Sequence, residues 1–304
     1  MLEWLWNEIA EPILDELGFG QVAPDDPLPR IIWIPTGPLS HLPLHAAGIH
    51  TPGSSITVLD RVVSSYASSL NSFVLGRRQK QTTIAHSGRK ALLVGVGDAQ
   101  YMPRLTPLPF VAREIDQIEK TCASFKLEST TLKEPITRQV LDNMDGCAIF
   151  HFAGHGRVDP LEPSQSGIVM GDGLLTVANL MDAKLQSKPP FLAFLSACLS
   201  GANDVIELQD EGVHLISACQ LLGFRHVIGT QWQVSDSTCV DVSEALYTGL
   251  AKSGMADDSV CRSLHRALVD LGITGSKLVR VRFEGESAED LVRADWIPYI
   301  HYGP

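Results

Sequence analysis

The chain has 304 residues, 44% hydrophobic and 19% charged, the proportions of an ordinary globular protein with a substantial core. Its 24 Lys and Arg against 35 Asp and Glu leave a net charge of −11, which argues against direct nucleic-acid binding and against an anionic membrane, since both need a basic face. No apolar run approaches the ~18 residues of a membrane span, and residues 1–18 carry acids where a signal peptide would carry Lys or Arg, so a cytoplasmic location is expected.

Leu5, Ile9, Ile13 and Leu17 recur at helical spacing over residues 3–17, with Pro12 placed to bend or restart the helix. The β-branched run "RIIWIP" (30–35) stops at proline and gives way to the turn-rich "TGPLSHLPLH". Residues 55–76 begin as a strand and finish as a helix, and the polar, basic stretch 77–90 reads as a mobile surface loop. From residue 91 apolar runs at 91–96, 147–152, 191–195 and 226–232 alternate with helical patterns near 111–124, 137–143, 176–183, 212–222, 236–252 and 257–271. Continuous apolar strands alternating with helices predict an α/β fold whose mostly parallel sheet is covered on both faces. The tail "WIPYIHYG" (296–303) reads as a last strand, at an edge because Pro298 lacks a ladder donor.

Six cysteines stand at 122, 147, 198, 219, 239 and 261, none in a CxxC, most within apolar runs. This is the pattern of reduced thiols acting as small hydrophobes, not of a disulfide framework or a zinc cluster.

In an open parallel sheet, functional groups gather beyond the carboxyl ends of the strands. That rule brings three residues to one rim: His155 after 147–152, Cys198 after 191–195 and Asp236 after 226–234. Cys198, flanked by small residues and followed by Gly201, is either a buried filler or a nucleophile whose thiol a histidine activates. His155, between Gly154 and Gly156, reads as sitting in a glycine turn. It is either a turn histidine or a base for that thiol, with the Gly156 N–H facing a developing oxyanion. His151 lies inside the apolar strand and reads as a hydrogen-bonded core histidine. A metal shared by His151 and His155 needs helical i,i+4 geometry and finds a strand, so neither metal nor cofactor is expected. "SDS" (235–237) is also a plausible helix N-cap. The acidic run Asp204, Glu207, Asp210 and Glu211 is either a solvated loop or an element beside the site.

The ordered motifs "IIWIPTGPLSHLPLHAAG" (31–48), "VVSSYASSL" (62–70), "ALLVGVGDAQY" (91–101), "LPFVAREIDQI" (108–118), "IFHFAGHG" (149–156), "GDGLLTVANL" (171–180), "LAFLSACLSG" (192–201), "HVIGTQWQVSD" (226–236) and "WIPYIHYG" (296–303) cover nearly the whole chain. In this set the chain resembles the CHAT family, caspase-like peptidase domains related to separase and often fused to TPR repeats. The resemblance implies a caspase-hemoglobinase fold, with a degenerate N-terminal subdomain (1–88) packed as one unit with a catalytic subdomain (89–304). It implies a His155–Cys198 dyad acting through a thioester, with the N–H groups of Gly156 and Cys198 as oxyanion hole. It further implies a protein substrate and a TPR-containing or other activating protein partner. Asp236, ending "WQVSD", corresponds to the acid that pairs with a basic P1 side chain in separase-like relatives, so cleavage after Arg or Lys is expected. Asp98, on the same rim, is a second candidate for that role. With that preference, "GRRQK" (76–80) and "GRK" (88–90) would offer self-cleavage sites, and the acidic loop about 202–211 a plug that an activator moves. The rival reading is a catalytically silent scaffold for signalling or assembly.

Overall fold

The computed structural model describes residues 1–20, 27–51, 54–78, 90–98, 102, 105–157, 159, 161–183, 190–199, 211–274 and 295–304. Of the basic stretch 77–90 read as a loop, Arg77 and Arg78 end a helix (Leu70–Arg78) and Lys90 opens a strand (Lys90–Gly95), while residues 79–89 and the acidic loop through residue 210 lie outside the described residues, and with them the plug and the rest of the self-cleavage sites.

Helix α1 (Leu2–Leu5) passes through a π-helical turn, Trp6–Ala10, into α2 (Glu11–Glu16), so the helix restarts at Pro12. The wider turn just before Pro12 accommodates its missing N–H donor. Next come β1 (Arg30–Trp33), the small pair β2 (Gly48–Ile49) and β3 (Ile56–Thr57), α3 (Val58–Arg61), β4 (Val63–Tyr66) and α4 (Leu70–Arg78). Strands and helices then alternate: β5 (Lys90–Gly95), α5 (Val111–Ser124), β6 (Glu128–Lys133), α6 (Thr137–Met144) and β7 (Cys147–Arg157). A hairpin of β8 (Gly167–Met170) and β9 (Gly173–Thr176) leads to α7 (Val177–Asp182) and β10 (Leu192–Leu199). The chain closes with α8 (Glu211–Leu221), β11 (His226–Thr230), α9 (Asp236–Ser253), α10 (Asp257–Thr274) and β12 (Tyr299–Tyr302).

Among the described residues the main sheet runs in the order β1-β4-β12-β11-β10-β7-β5-β6, with β8 and β9 appended to the end of β7. The ladders along this order are parallel except β11–β12. Alternation along each strand sends side chains to two separate cores. Leu92, Val94, Phe150, Phe152, Ala193 and Leu195 pack with Val140, Ile216 and Cys219 on one face. Ala91, Leu93, Ile149, Ala153 and Phe194 pack with Ile115, Ile118, Leu246 and Tyr247 on the other. Helix α5 shows why the helices were readable: Val111, Ile115, Ile118 and Cys122 are buried at helical spacing. Among the described residues no helix is long and apolar enough to cross a membrane.

Two expectations need correction. Residues 55–76 do begin as a strand and end as a helix, but β4 lies between, hidden by its serines. Ser65 is fully buried in β4 because its Oγ accepts from Arg30 at 2.9 Å and bonds His301 Nδ1 at 2.9 Å. The last strand, β12, is not an edge: it lies between β4 and β11, with Tyr302 paired to both Tyr66 and Val227. Pro298 precedes the strand, so its missing N–H costs the ladder nothing, and its carbonyl accepts from Gln231 N–H at 2.9 Å.

A buried polar chain ties the β1–β4 end to the rest. Arg30 donates to Ser65 Oγ, His301 Nε2 meets His226 Nδ1 at 3.0 Å, and His226 Nε2 meets Asp257 Oδ1 at 3.1 Å. A guanidinium only donates and a carboxylate only accepts, so the protons run one way and both imidazoles are neutral. Burial pushes both histidines down, His301 furthest. His45, bonded to Tyr66 Oη and the Ile297 carbonyl, is lowered by burial from 6.5 to about 4.

Because these folded values lie below the unfolded one, the native state binds fewer protons, and stability is fully present above pH 6.5 and lost as pH falls toward 4. The His45 shift alone corresponds to about 3 kcal/mol. Urea unfolding should show this loss, and His45→Gln, less stable at neutral pH, should lose about 3 kcal/mol less than wild type across the same window.

Candidate active site

The two strands expected to stop short of the site run through it. β7 continues past Phe152 along Ala153, Gly154, His155 and Gly156 to Arg157, and every residue up to Gly156 is buried. The glycine turn expected at His155 is therefore absent. The segment is held extended by β10 on one side and β8 on the other: Gly156 pairs with Leu199 and with Ile168. Gly154 serves close packing instead, since a Cβ there would lie 2.7 Å from the Phe152 ring and 3.0 Å from the Val96 carbonyl. β10 likewise continues to Leu199, so Cys198 is a strand residue, not a loop residue. The ladder pairs Ser196 with Ala153, Ala197 with Gly154, Cys198 with His155 and Leu199 with Gly156.

His155 is 3% exposed, and its Nε2 lies 2.9 Å from the Thr106 carbonyl. A carbonyl only accepts, so Nε2 carries the proton and Nδ1 is the basic nitrogen. Burial pushes the imidazole below its ordinary value, opposed by the Thr106 carbonyl and the charge of Asp236. Asp236 opens α9, directly after the helix cap Ser235, whose Oγ accepts from Thr238 N–H at 3.3 Å. The cap within "SDS" is thus Ser235, and the Asp236 carboxylate reaches elsewhere: Oδ2 accepts from Phe110 N–H at 2.7 Å, at the start of α5. Burial raises its pKa, while the Phe110 N–H and His155 pull it down and Glu114 pushes it up. One rim therefore holds His155, Asp236, the N-termini of α5 and α9, and Cys198 by register. Asp98 is exposed just past β5, its N–H donated to Glu134 Oε1 at 3.1 Å.

His151 is the core histidine expected. Its Nε2 lies 3.2 Å from Glu114 Oε1, its Nδ1 3.3 Å from Tyr247 Oη, and its ring stacks on Phe194 at 4.9 Å. It lies four residue steps along the strand from His155, a span of ~13 Å, too far for one metal ion. Cys122, Cys147 and Cys219 are buried, their thiols pushed up to about 12 by burial, which keeps them protonated.

Three contributors escaped the sequence: the Thr106 carbonyl, the Phe110 N–H and buried Glu114. The first two are main-chain groups, which no residue type announces; the proline-rich "LTPLPF" (105–110) marks only a turn segment. Glu114 lies on the buried stripe of α5, where a carboxylate is legible only once His151 is seen opposite.

The chain is a mixed α/β fold with a central, mostly parallel sheet flanked by helices. Similar folds occur in the Saccharomyces cerevisiae separase–securin complex, with a TM-score of 0.50 and 16% identity over 84% of this chain and 15% of that one. The Arg-specific cysteine proteinase gingipain R aligns with a TM-score of 0.49 and 11% identity, over 85% of this chain and 58% of that one. This chain thus spans well under two thirds of either relative. No curated protein sequence matches it. The CHAT domain family model matches residues 1–294, and the chain belongs to that family.

Gly154→Ala should cost about 1–3 kcal/mol in urea unfolding, because the added methyl meets Phe152 and the Val96 carbonyl in a packed strand.

Proposed function

We propose that the protein is a cysteine endopeptidase cleaving a protein substrate after Arg or Lys, with His155 and Cys198 as its dyad. The observation that carries this reading is the register pair Cys198–His155. Residues paired across a parallel ladder lie on one face of the sheet, a strand spacing of ~4.8 Å apart. A neutral imidazole with Nδ1 as acceptor takes the Cys198 proton. The thiolate attacks the scissile carbonyl, and the Cys198 N–H holds the oxyanion, worth about 3 kcal/mol; Gly156, expected to share that role from a turn, has its main chain engaged in the sheet between Leu199 and Ile168. The imidazolium then protonates the departing amine, leaving a thioester. Water attacks the thioester, His155 takes its proton, and the acid product leaves as the thiol is restored.

Asp236 supports this chemistry in two ways. Its charge favours the imidazolium form of His155. Its Oδ2 is engaged by Phe110 N–H, which leaves Oδ1 for a P1 guanidinium or ammonium by a charge-assisted hydrogen bond. Asp98, exposed on the rim, is the second candidate for that contact. A protein partner activates the enzyme in this reading, with residues 1–88 packed as its degenerate half.

Fluorogenic peptides with Arg, Lys, Asp or Leu at P1 test the proposal. Wild type should cleave after Arg and Lys, Cys198→Ala should not cleave at all, and Asp236→Ala should lose about 10- to 100-fold of the basic preference. Cleavage persisting in Cys198→Ala would remove the nucleophile assignment, and no cleavage with any peptide would favour the silent scaffold. Full basic preference in Asp236→Ala would transfer the S1 role elsewhere.

The acidic limb of kcat/KM should fall below the ordinary histidine value of 6.5, because burial depresses His155. Asp236→Asn removes a charge that raises the His155 value, so it should move that limb lower still.

A further inference from the structure

The turn between β6 and α6 holds a residue in costly geometry. Glu134 has φ +50°, left-handed backbone that side-chain-bearing residues seldom adopt. It is fixed on several sides. Its N–H donates to the Gly95 carbonyl at 2.9 Å, and the Pro135 carbonyl accepts from Gly171 N–H at 2.8 Å. Its carboxylate reaches back to the end of β5, where Oε1 accepts from Gly97 N–H at 2.8 Å and from Asp98 N–H at 3.1 Å. Two successive amides converging on one oxygen form a small anion-binding nest, filled here by a side chain of the same molecule.

What Glu134 grips is the root of the segment that builds the site. The Gly97 carbonyl accepts from Leu108 N–H at 2.8 Å, folding that segment back on β5. A Cβ on Gly97 would lie 3.0 Å from the Leu108 carbonyl, so the approach needs glycine. Two residues before Leu108, the Thr106 carbonyl receives the His155 ring proton. Two residues after it, Phe110 N–H binds the Asp236 carboxylate. The contacts that orient the base and the acid thus leave the same short stretch of main chain, anchored through Gly97 to one exposed carboxylate.

We propose that Glu134 is a positioning residue: by clamping the Gly97 and Asp98 amides it holds Thr106 and Phe110 where they orient His155 and Asp236. This rests on the peptidase reading above, and Glu134 acts through the segment without touching substrate. Strained backbone kept in place by a charge-assisted clamp is the pattern of a turn retained for geometry at a cost in stability.

Two substitutions separate that role from a structural one. Glu134→Gly deletes the carboxylate but takes the left-handed backbone freely, so thermal stability should hold or rise. Glu134→Gln keeps an oxygen that both amides can reach. Exchange of the His155 Nε2 proton with solvent, followed by NMR in a Cys198→Ala background, reports the Thr106 bond without any turnover. That proton should be protected in the parent and in Glu134→Gln, and broadened by exchange in Glu134→Gly. In the active protein, Glu134→Gly should lower kcat about 10-fold or more with KM little changed, and Glu134→Gln should restore it. The proposal is overturned if Glu134→Gly keeps the ring proton protected, if Glu134→Gln behaves like Glu134→Gly, or if Glu134→Gly fails to fold. Wild type that cleaves no peptide would sink the peptidase reading, while the exchange comparison would still decide the clamp.

Discussion

The ladder between β7 and β10 is the constraint on which the rest of the structure depends. Eight register pairs, from Ile149–Leu192 to Gly156–Leu199, run through the middle of the sheet, with β7 buried along all of them. Buried amides and carbonyls need partners, so these strands have no freedom to part. Nor can they slide, because a slip of one residue would exchange the two faces of a strand. In β7 that would turn Phe150 and Phe152 toward α5 and α9, and His151 and His155 into the opposite core. The hydrophobic alternation therefore fixes the register: packing of the phenylalanines sets His155 beside Cys198 in the ladder.

The surroundings of that pair balance opposed effects. Burial depresses the His155 imidazole, whereas the Thr106 carbonyl and the Asp236 charge favour its protonated form. The peptidase proposed above needs both in its base, neutral at rest and stabilised once it has taken a proton. Asp236 also joins the starts of α5 and α9 through Phe110, so the groups that act on His155 belong to the packing of those two helices. The site is thus continuous with the core: His151, four residues back on β7, is held by Glu114 of α5 and Tyr247 of α9.

Much of this was legible in the chain itself, for physical reasons that differ by element. Helices such as α5 and α9 declare themselves because burial of one face repeats with the helical period. The central strands do so because both of their faces are buried, which makes them continuous apolar runs. β4 and β6 were not legible: "VSSY" and "ESTTLK" carry polar residues whose partners lie elsewhere, such as Arg30 and His301 for Ser65. The ends of β7 and β10 were misplaced for the same reason. Glycine and serine read locally as a turn, but neighbouring strands supply hydrogen bonds that keep "AGHG" and "SACL" extended. Pro298 suggested an edge, and its position one residue before β12 removed the objection to an interior strand.

The amino-acid sequence by itself determined which candidate groups exist: His155, Cys198 and Asp236 are side chains, and side-chain chemistry is local information. Only the tertiary structure decided how they are held. Which residue of β10 is paired with His155, which carbonyl meets its ring nitrogen, and which amides Glu134 binds are decided by hydrogen bonds that main-chain groups make with distant parts of the chain. Every residue but proline offers the same backbone donor and acceptor, so nothing in their order names the partner.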